Sequence, residues 1–383
     1  MNETPGWKAA AEAHKRAMPV QRLVGNGMNF ADVSDLYRSV DSGRPWDEAA
    51  EELGEQNLAR AAAALAVGHT TTARDWYLLA SACFRVGQVP LTDTEPRKRE
   101  LYRKLIAAFG AAGALTQPVT EHLDIDTPAG IVSGWLLRPA AVQHPPTVVI
   151  VGGFDGWREE YHVGATYLLD RGIAVFLADG PGQGESRLFH GSRMTPDVDQ
   201  AFVTVADTLL ADDRLGDRVG IWGNSMGGFL AALAASAGEG FAACCVTGGT
   251  VRPAEILDRY PRFTAKVRPL LGIDDPEQAR AAMERFRLTP ERLACLRVPL
   301  LVLHGRPDQV FLIENARALF DAAGSPDKRW AEWPDGDHCV YNHSHEKHVL
   351  VADWFADRLA AHLFGSLISP PTEEVSSVVE SPA

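Results

Sequence analysis

Apolar positions along this chain follow two rhythms. Up to about residue 118 they recur three and four residues apart among alanines and charges, the spacing that lines one face of a helix. The stretch 45–68 has acids first, then Ala and Leu at helical spacing, with Gly68 as a stop. The stretch 69–89 repeats that layout, with Thr70 to Thr72 as cap candidates and Gly87 as the stop. A third helix is expected over 95–110, with Pro96 in its first turn and Gly110 at its end. Too few copies at no fixed period argue against a solenoid. Residues 1–118 therefore read as an all-helical N-terminal domain.

Beyond "LTQP" the rhythm changes. "VTEHLDIDT" and "GIVSGWLLRP" alternate around a Pro-Ala-Gly turn and predict a hairpin. Short apolar runs then alternate with helical stretches. The strands expected are "TVVIVGG", "IAVFLADGPG", "RVGIWG", "FAACCVTGG", "VPLLVLHG" and "KRWAEWPDG". This alternation implies an α/β fold with a mainly parallel sheet flanked by helices, over 119–365. A helical stretch at 252–295 interrupts it, as a lid insertion would. The polar, proline-bearing tail at 366–383 reads as disordered.

Composition narrows the function. The 383 residues carry a formal charge of −13, which argues against a nucleic-acid partner. No run is apolar and long enough to span a membrane, and the start lacks the apolar core of a signal peptide. The five cysteines are scattered and odd in number, consistent with reduced thiols in a cytoplasm.

The candidate chemistry begins at "GNSMGG", residues 223–228, which falls at the corner between a strand and a helix. In a parallel α/β sheet, ligands bind beyond the carboxyl ends of the strands. A G-x-S-x-G turn there exposes the Ser225 oxygen, and Gly223 and Gly227 permit a close backbone approach. "GRPDQVF" places Asp308 after the next-to-last strand, and "GDHCVYN" places His338 after the last. Serine, acid, histidine is the chain order expected where the serine sits on such a strand-to-helix elbow. The imidazole takes the serine proton and returns it to the leaving group, and the carboxylate holds the imidazole. The N–H groups of Met226 and of Phe154, in "VIVGGFDGW", are the candidate oxyanion donors, each worth roughly 3 kcal/mol. No cofactor or metal is called for.

These motifs, with "ADGPGQGES", resemble the α/β-hydrolase superfamily. The helical N-terminal half with "GNGMNFADV", then "GGFDGWREE" and "GDHCVYN", resembles more narrowly the FrsA-like esterase and 2,6-dihydroxypseudooxynicotine hydrolase group. That resemblance implies attack on a carbonyl, with cleavage of a carbon–carbon or ester bond. Two covers over one serine imply a bulky, largely apolar substrate, aromatic or polyketide-like. Thioesterase, cyclase and general carboxylesterase activities stay open, as does a non-catalytic ligand-binding protein on the same scaffold.

Several residues remain to be placed. Glu255 and Asp258 are candidates to hold or protonate a leaving group, and His190 is a candidate substrate contact. His343, His345 and His348 read as a solvated helix start rather than metal ligands. His304 reads as a core histidine, Cys339 as a packing residue, and Asp337 as a weaker rival to Asp308. The added helices could also form a homodimer face.

Overall fold

The computed structural model describes residues 6–154, 156–238 and 240–359. The tail expected to be disordered lies outside them. Eight strands form one sheet: β1 (Glu121–Thr127), β2 (Gly130–Leu137), β3 (Thr147–Val151), β4 (Ala174–Asp179), β5 (Val219–Asn224), β6 (Ala243–Thr247), β7 (Leu300–Gly305) and β8 (Lys328–Trp333). Their spatial order is β1-β2-β4-β3-β5-β6-β7-β8. β1 and β2 form the expected hairpin, and β2 runs antiparallel to β4. Every later pairing is parallel. The central strands are buried along their whole length because helices cover both faces, so they read as continuous apolar runs.

One face of the sheet packs against helices 198–210 and 226–235 and the lid, through Phe202, Phe229 and Leu270. The other packs against helices 162–169 and 344–359, through Leu168, Trp354 and Phe355. The lid is four short helices and a 3₁₀ turn rather than one long helical stretch.

Six helices precede the sheet: α1 (Gly6–Ala17), α2 (Val20–Gly25), α3 (Phe30–Asp41), α4 (Trp46–Ala66), α5 (Thr70–Gly87) and α6 (Pro96–Gly113). Two local expectations are corrected. No threonine side chain caps α5, since Thr70 is already its first residue. Nor does Gly110 end α6. The helix runs three residues further, and Gly110 instead gives clearance to Trp135, whose ring would lie 3.3 Å from a Cβ there. The helices are tied to the sheet by Phe109 packing on Trp135 (ring centroids 5.2 Å apart) and by the Tyr102 hydroxyl donating to Asp179 Oδ2 at 2.9 Å. Asp179 is fully buried at the end of β4.

Candidate active site

β5 ends at Asn224, the next helix begins at Met226, and Ser225 alone makes the corner. Its φ of 59° and ψ of −127° are strained for a residue with a side chain, at a cost of about 1–3 kcal/mol. The turn is pinned by Ser225 N–H donating to Thr247 O on β6 (2.9 Å) and Gly228 N–H donating to Ser225 O (2.8 Å). The flanking glycines are obligatory. A Cβ on Gly223 would lie 1.9 Å from Gly227 O, and one on Gly227 would lie 2.3 Å from Val151 O. Backbone, not a flexible side chain, occupies each space.

Three side chains from three loops meet here. His338 Nε2 is 2.8 Å from Ser225 Oγ, and His338 Nδ1 is 2.8 Å from Asp308 Oδ2. The second Asp308 oxygen accepts from Val310 N–H at 2.7 Å and Phe311 N–H at 3.3 Å, which fixes the carboxylate plane. Burial disfavours charge on His338, but the Asp308 carboxylate prevails and holds the imidazole well above its ordinary pKa. Burial likewise opposes ionisation of Asp308, yet His338 beside it keeps it below the usual aspartate value. Asp337 does not compete for the ring. It caps the turn that follows, accepting from Tyr341 and Asn342 N–H.

His304 is fully buried behind the acid, with Nε2 3.8 Å from Asp308 Oδ2, and burial lowers its pKa. Cys339 is buried too, but its Sγ lies 3.5 Å from His338 Nε2. Cys339 and Val340 both adopt positive φ, 58° and 56°, so the chain turns sharply straight after the histidine.

The Gly152–Phe154 loop passes over the serine, since a Cβ on Gly153 would stand 3.3 Å from Ser225 Oγ. Phe154, the expected donor, is therefore adjacent to the nucleophile position, and Met226 opens the helix on the other side. Gln183 is the residue that sequence reasoning missed. Its Nε2 donates to Gly152 O (2.7 Å) and Gly153 O (2.6 Å), and its Oε1 accepts from Gly180 N–H (2.9 Å). The "ADGPGQGES" segment thus braces the Gly152–Phe154 loop. The available signal was its proximity to β4, but nothing local in the sequence names the partner of a glutamine.

A cavity of about 800 Å³ opens above Ser225 and His338. Its roof comes from two places: the α1–α2 junction and α2, with Met18, Pro19 and Arg22, and the lid, with Tyr260 and Phe263. Arg22 bonds Glu160 through Nε (2.9 Å) and Nη2 (3.2 Å), and Asn26 Nδ2 donates to the same carboxylate at 2.7 Å.

The three further contact candidates are corrected, because none lines this cavity. Glu255 turns away to accept from Asn315 Nδ2 at 2.6 Å, Asp258 is held by Arg252 and Arg280, and His190 lies 3.4 Å from Asp124 on β1. The histidine-rich segment does not converge. His343 faces Asp335 and His345 faces Tyr167, while His348 is buried against Trp222 rather than solvated.

Among the described residues, no helix is long and apolar enough to cross a membrane. Residues 160–362, just over half of the chain, match the prolyl oligopeptidase family. The chain is 28% identical to the 2,6-dihydropseudooxynicotine hydrolase of Paenarthrobacter nicotinovorans, over 91% of its own length and 93% of that protein's. It is 30% identical to the α/β hydrolase ucsC of Acremonium, over 55% and 49% of the respective lengths. A crystal structure of 2,6-dihydroxy-pseudo-oxynicotine hydrolase superposes with a TM-score of 0.80 at 24% identity, covering 89% of this chain and 96% of that one.

Proposed function

The chain belongs to the prolyl oligopeptidase family of α/β hydrolases, and from that premise we propose that it is a serine hydrolase cleaving a carbon–carbon or ester bond beside a carbonyl in a bulky aromatic or polyketide-like substrate. The observation that carries this reading is the His338 ring bridging Ser225 Oγ and Asp308 at 2.8 Å on each side. Ser225 Oγ attacks the carbonyl carbon and His338 Nε2 takes its proton. The oxyanion that forms is held by the Met226 and Phe154 N–H groups. Collapse breaks the bond to the leaving group, and His338 delivers the proton to it, to oxygen for an ester or to carbon for a diketone. Water then repeats the sequence on the acyl-enzyme. Asp308 keeps the ring oriented and offsets its charge throughout.

Support for an enclosed, sizeable substrate comes from the cavity volume and its two-sided roof. Support for an aromatic ketone-type substrate comes from the resemblance to the 2,6-dihydroxypseudooxynicotine hydrolase group, and the Paenarthrobacter 2,6-dihydropseudooxynicotine hydrolase is matched over nearly its whole length. The test has two arms. A fluorophosphonate should label Ser225, and Ser225→Ala should lower kcat on the preferred substrate by on the order of 10⁶. A variant keeping more than about a tenth of the activity would remove Ser225 as the nucleophile, and a folded wild type that resists labelling would favour a binding protein on a hydrolase scaffold. Comparing an aryl β-diketone with short p-nitrophenyl esters decides the bond: an inert diketone beside rapid esters makes the protein a carboxylesterase.

A further inference from the structure

Basic side chains gather around the cavity of an acidic protein. The chain holds 37 Lys and Arg against 50 Asp and Glu. Among the described residues that line the cavity, Lys15, Arg16, Arg22, Arg262 and Lys266 are cationic and Glu160 and Asp337 are acidic, while Lys15 also pairs with Glu12 and Asp41. Both acids are engaged, Glu160 by Arg22 and Asn26, and Asp337 by the backbone N–H groups that it caps. Among the described residues, Arg16 and Arg262 have no carboxylate within 4 Å.

The cations come from segments some 240 residues apart in sequence, one on each half of the roof, so neither segment alone accounts for the cluster. They also sit beside aromatic rings. The Arg262 guanidinium lies 5.1 Å from the Tyr260 ring centroid, and Lys266 Nζ lies 5.5 Å from that of Phe263 and 5.9 Å from that of Trp157. A wall that pairs guanidinium groups with ring faces fits a flat apolar body bearing an anion, because guanidinium binds carboxylate in a bidentate fork.

We propose that the substrate carries a carboxylate on its aromatic or polyketide-like frame, and that Arg16 and Arg262 receive it at the mouth while the reacting carbonyl reaches Ser225. The proposal rests on the reading of this cavity as the substrate site. An acidic protein repels an anion at long range, so the collar also supplies local attraction where the ligand must enter.

The test is direct binding, which needs no turnover. Naphthalene-2-carboxylate and naphthalene-2-methanol share a ring system and differ in charge, and their fluorescence reports binding. At low ionic strength the carboxylate should bind about tenfold more tightly, the worth of one charge-assisted hydrogen bond. In the Arg16→Gln, Arg262→Gln double variant that ratio should fall to near one. It should persist in Arg297→Gln, which removes an exposed arginine outside the cavity. Equal binding of the two probes by the wild type, or a preference that survives the double variant, overturns the proposal. Failure to label Ser225 with this preference intact would instead overturn the serine-hydrolase reading and leave the anion site standing.

Discussion

The floor and the roof of the cavity are built by different means. The floor is backbone. Ser225 is held by strand-to-strand hydrogen bonds, and its neighbours are glycines because carbonyl oxygens fill the space a side chain would need. The roof is side chain. Its two halves are short helices separated by more than 200 residues, held by ion pairs such as Arg22–Glu160 and Arg252–Glu284. A backbone constraint admits few residue types and is therefore rigid and conspicuous. A side-chain constraint admits many, so the roof can vary while the floor stays the same.

The largest break in that contrast should come from the floor's electrostatics. Asp308→Asn should lower kcat by about 10⁴ while the protein stays folded, because the amide no longer selects the working tautomer. The same variant sharpens a pH argument. In the proposed mechanism neutral His338 is the base, and Asp308 raises its pKa. The acid limb of kcat/KM in the wild type should therefore lie above pH 6.5, the ordinary histidine value of about 6.5. In Asp308→Asn the residual limb should move to lower pH. An unmoved limb would assign the titration to another group.

Next in size is Gly227→Ala. The new methyl would meet Val151 O at 2.3 Å and Gly152 O at 2.5 Å, neither of which can step aside. Denaturant titration should show roughly 3 kcal/mol of lost stability, at the upper end of overpacking costs. A neutral outcome would mean the floor is softer than its geometry implies.

The smallest effect should fall on the roof. Arg22→Ala removes the guanidinium from Glu160, and thermal melts should show a loss of about 2 kcal/mol. That is less than for a fully buried pair, because Arg22 is 23% exposed. KM should rise by a larger factor than kcat falls. The opposite split would make this half of the roof part of the chemistry.

This division also explains what could be read from the sequence. Ser225, Asp308 and His338 stand in loops after three strands that the apolar runs mark clearly, and the elbow glycines report their own constraint. The sheet was legible for the same reason. Gln183 was not, since its role depends on two carbonyls some 30 residues away that no local pattern names. Glu255, Asp258 and His190 drew notice by position along the chain, and each turns to a partner elsewhere. The end of α6 was misplaced because Gly110 serves a tryptophan in β2, which overrides its usual use as a stop.

The Tyr102–Asp179 hydrogen bond has a consequence for how the molecule comes apart. Asp179 is fully buried and also receives the backbone N–H groups of Arg158 and Glu185, so it anchors both the loop after β3 and the loop after β4. Pulling α6 away would strip a hydroxyl from a buried carboxylate and uncover Trp135 at once. The helices and the sheet thus share one free-energy gap. A chain trimmed to the sheet alone would leave Asp179 without the Tyr102 hydroxyl and Trp135 without Phe109.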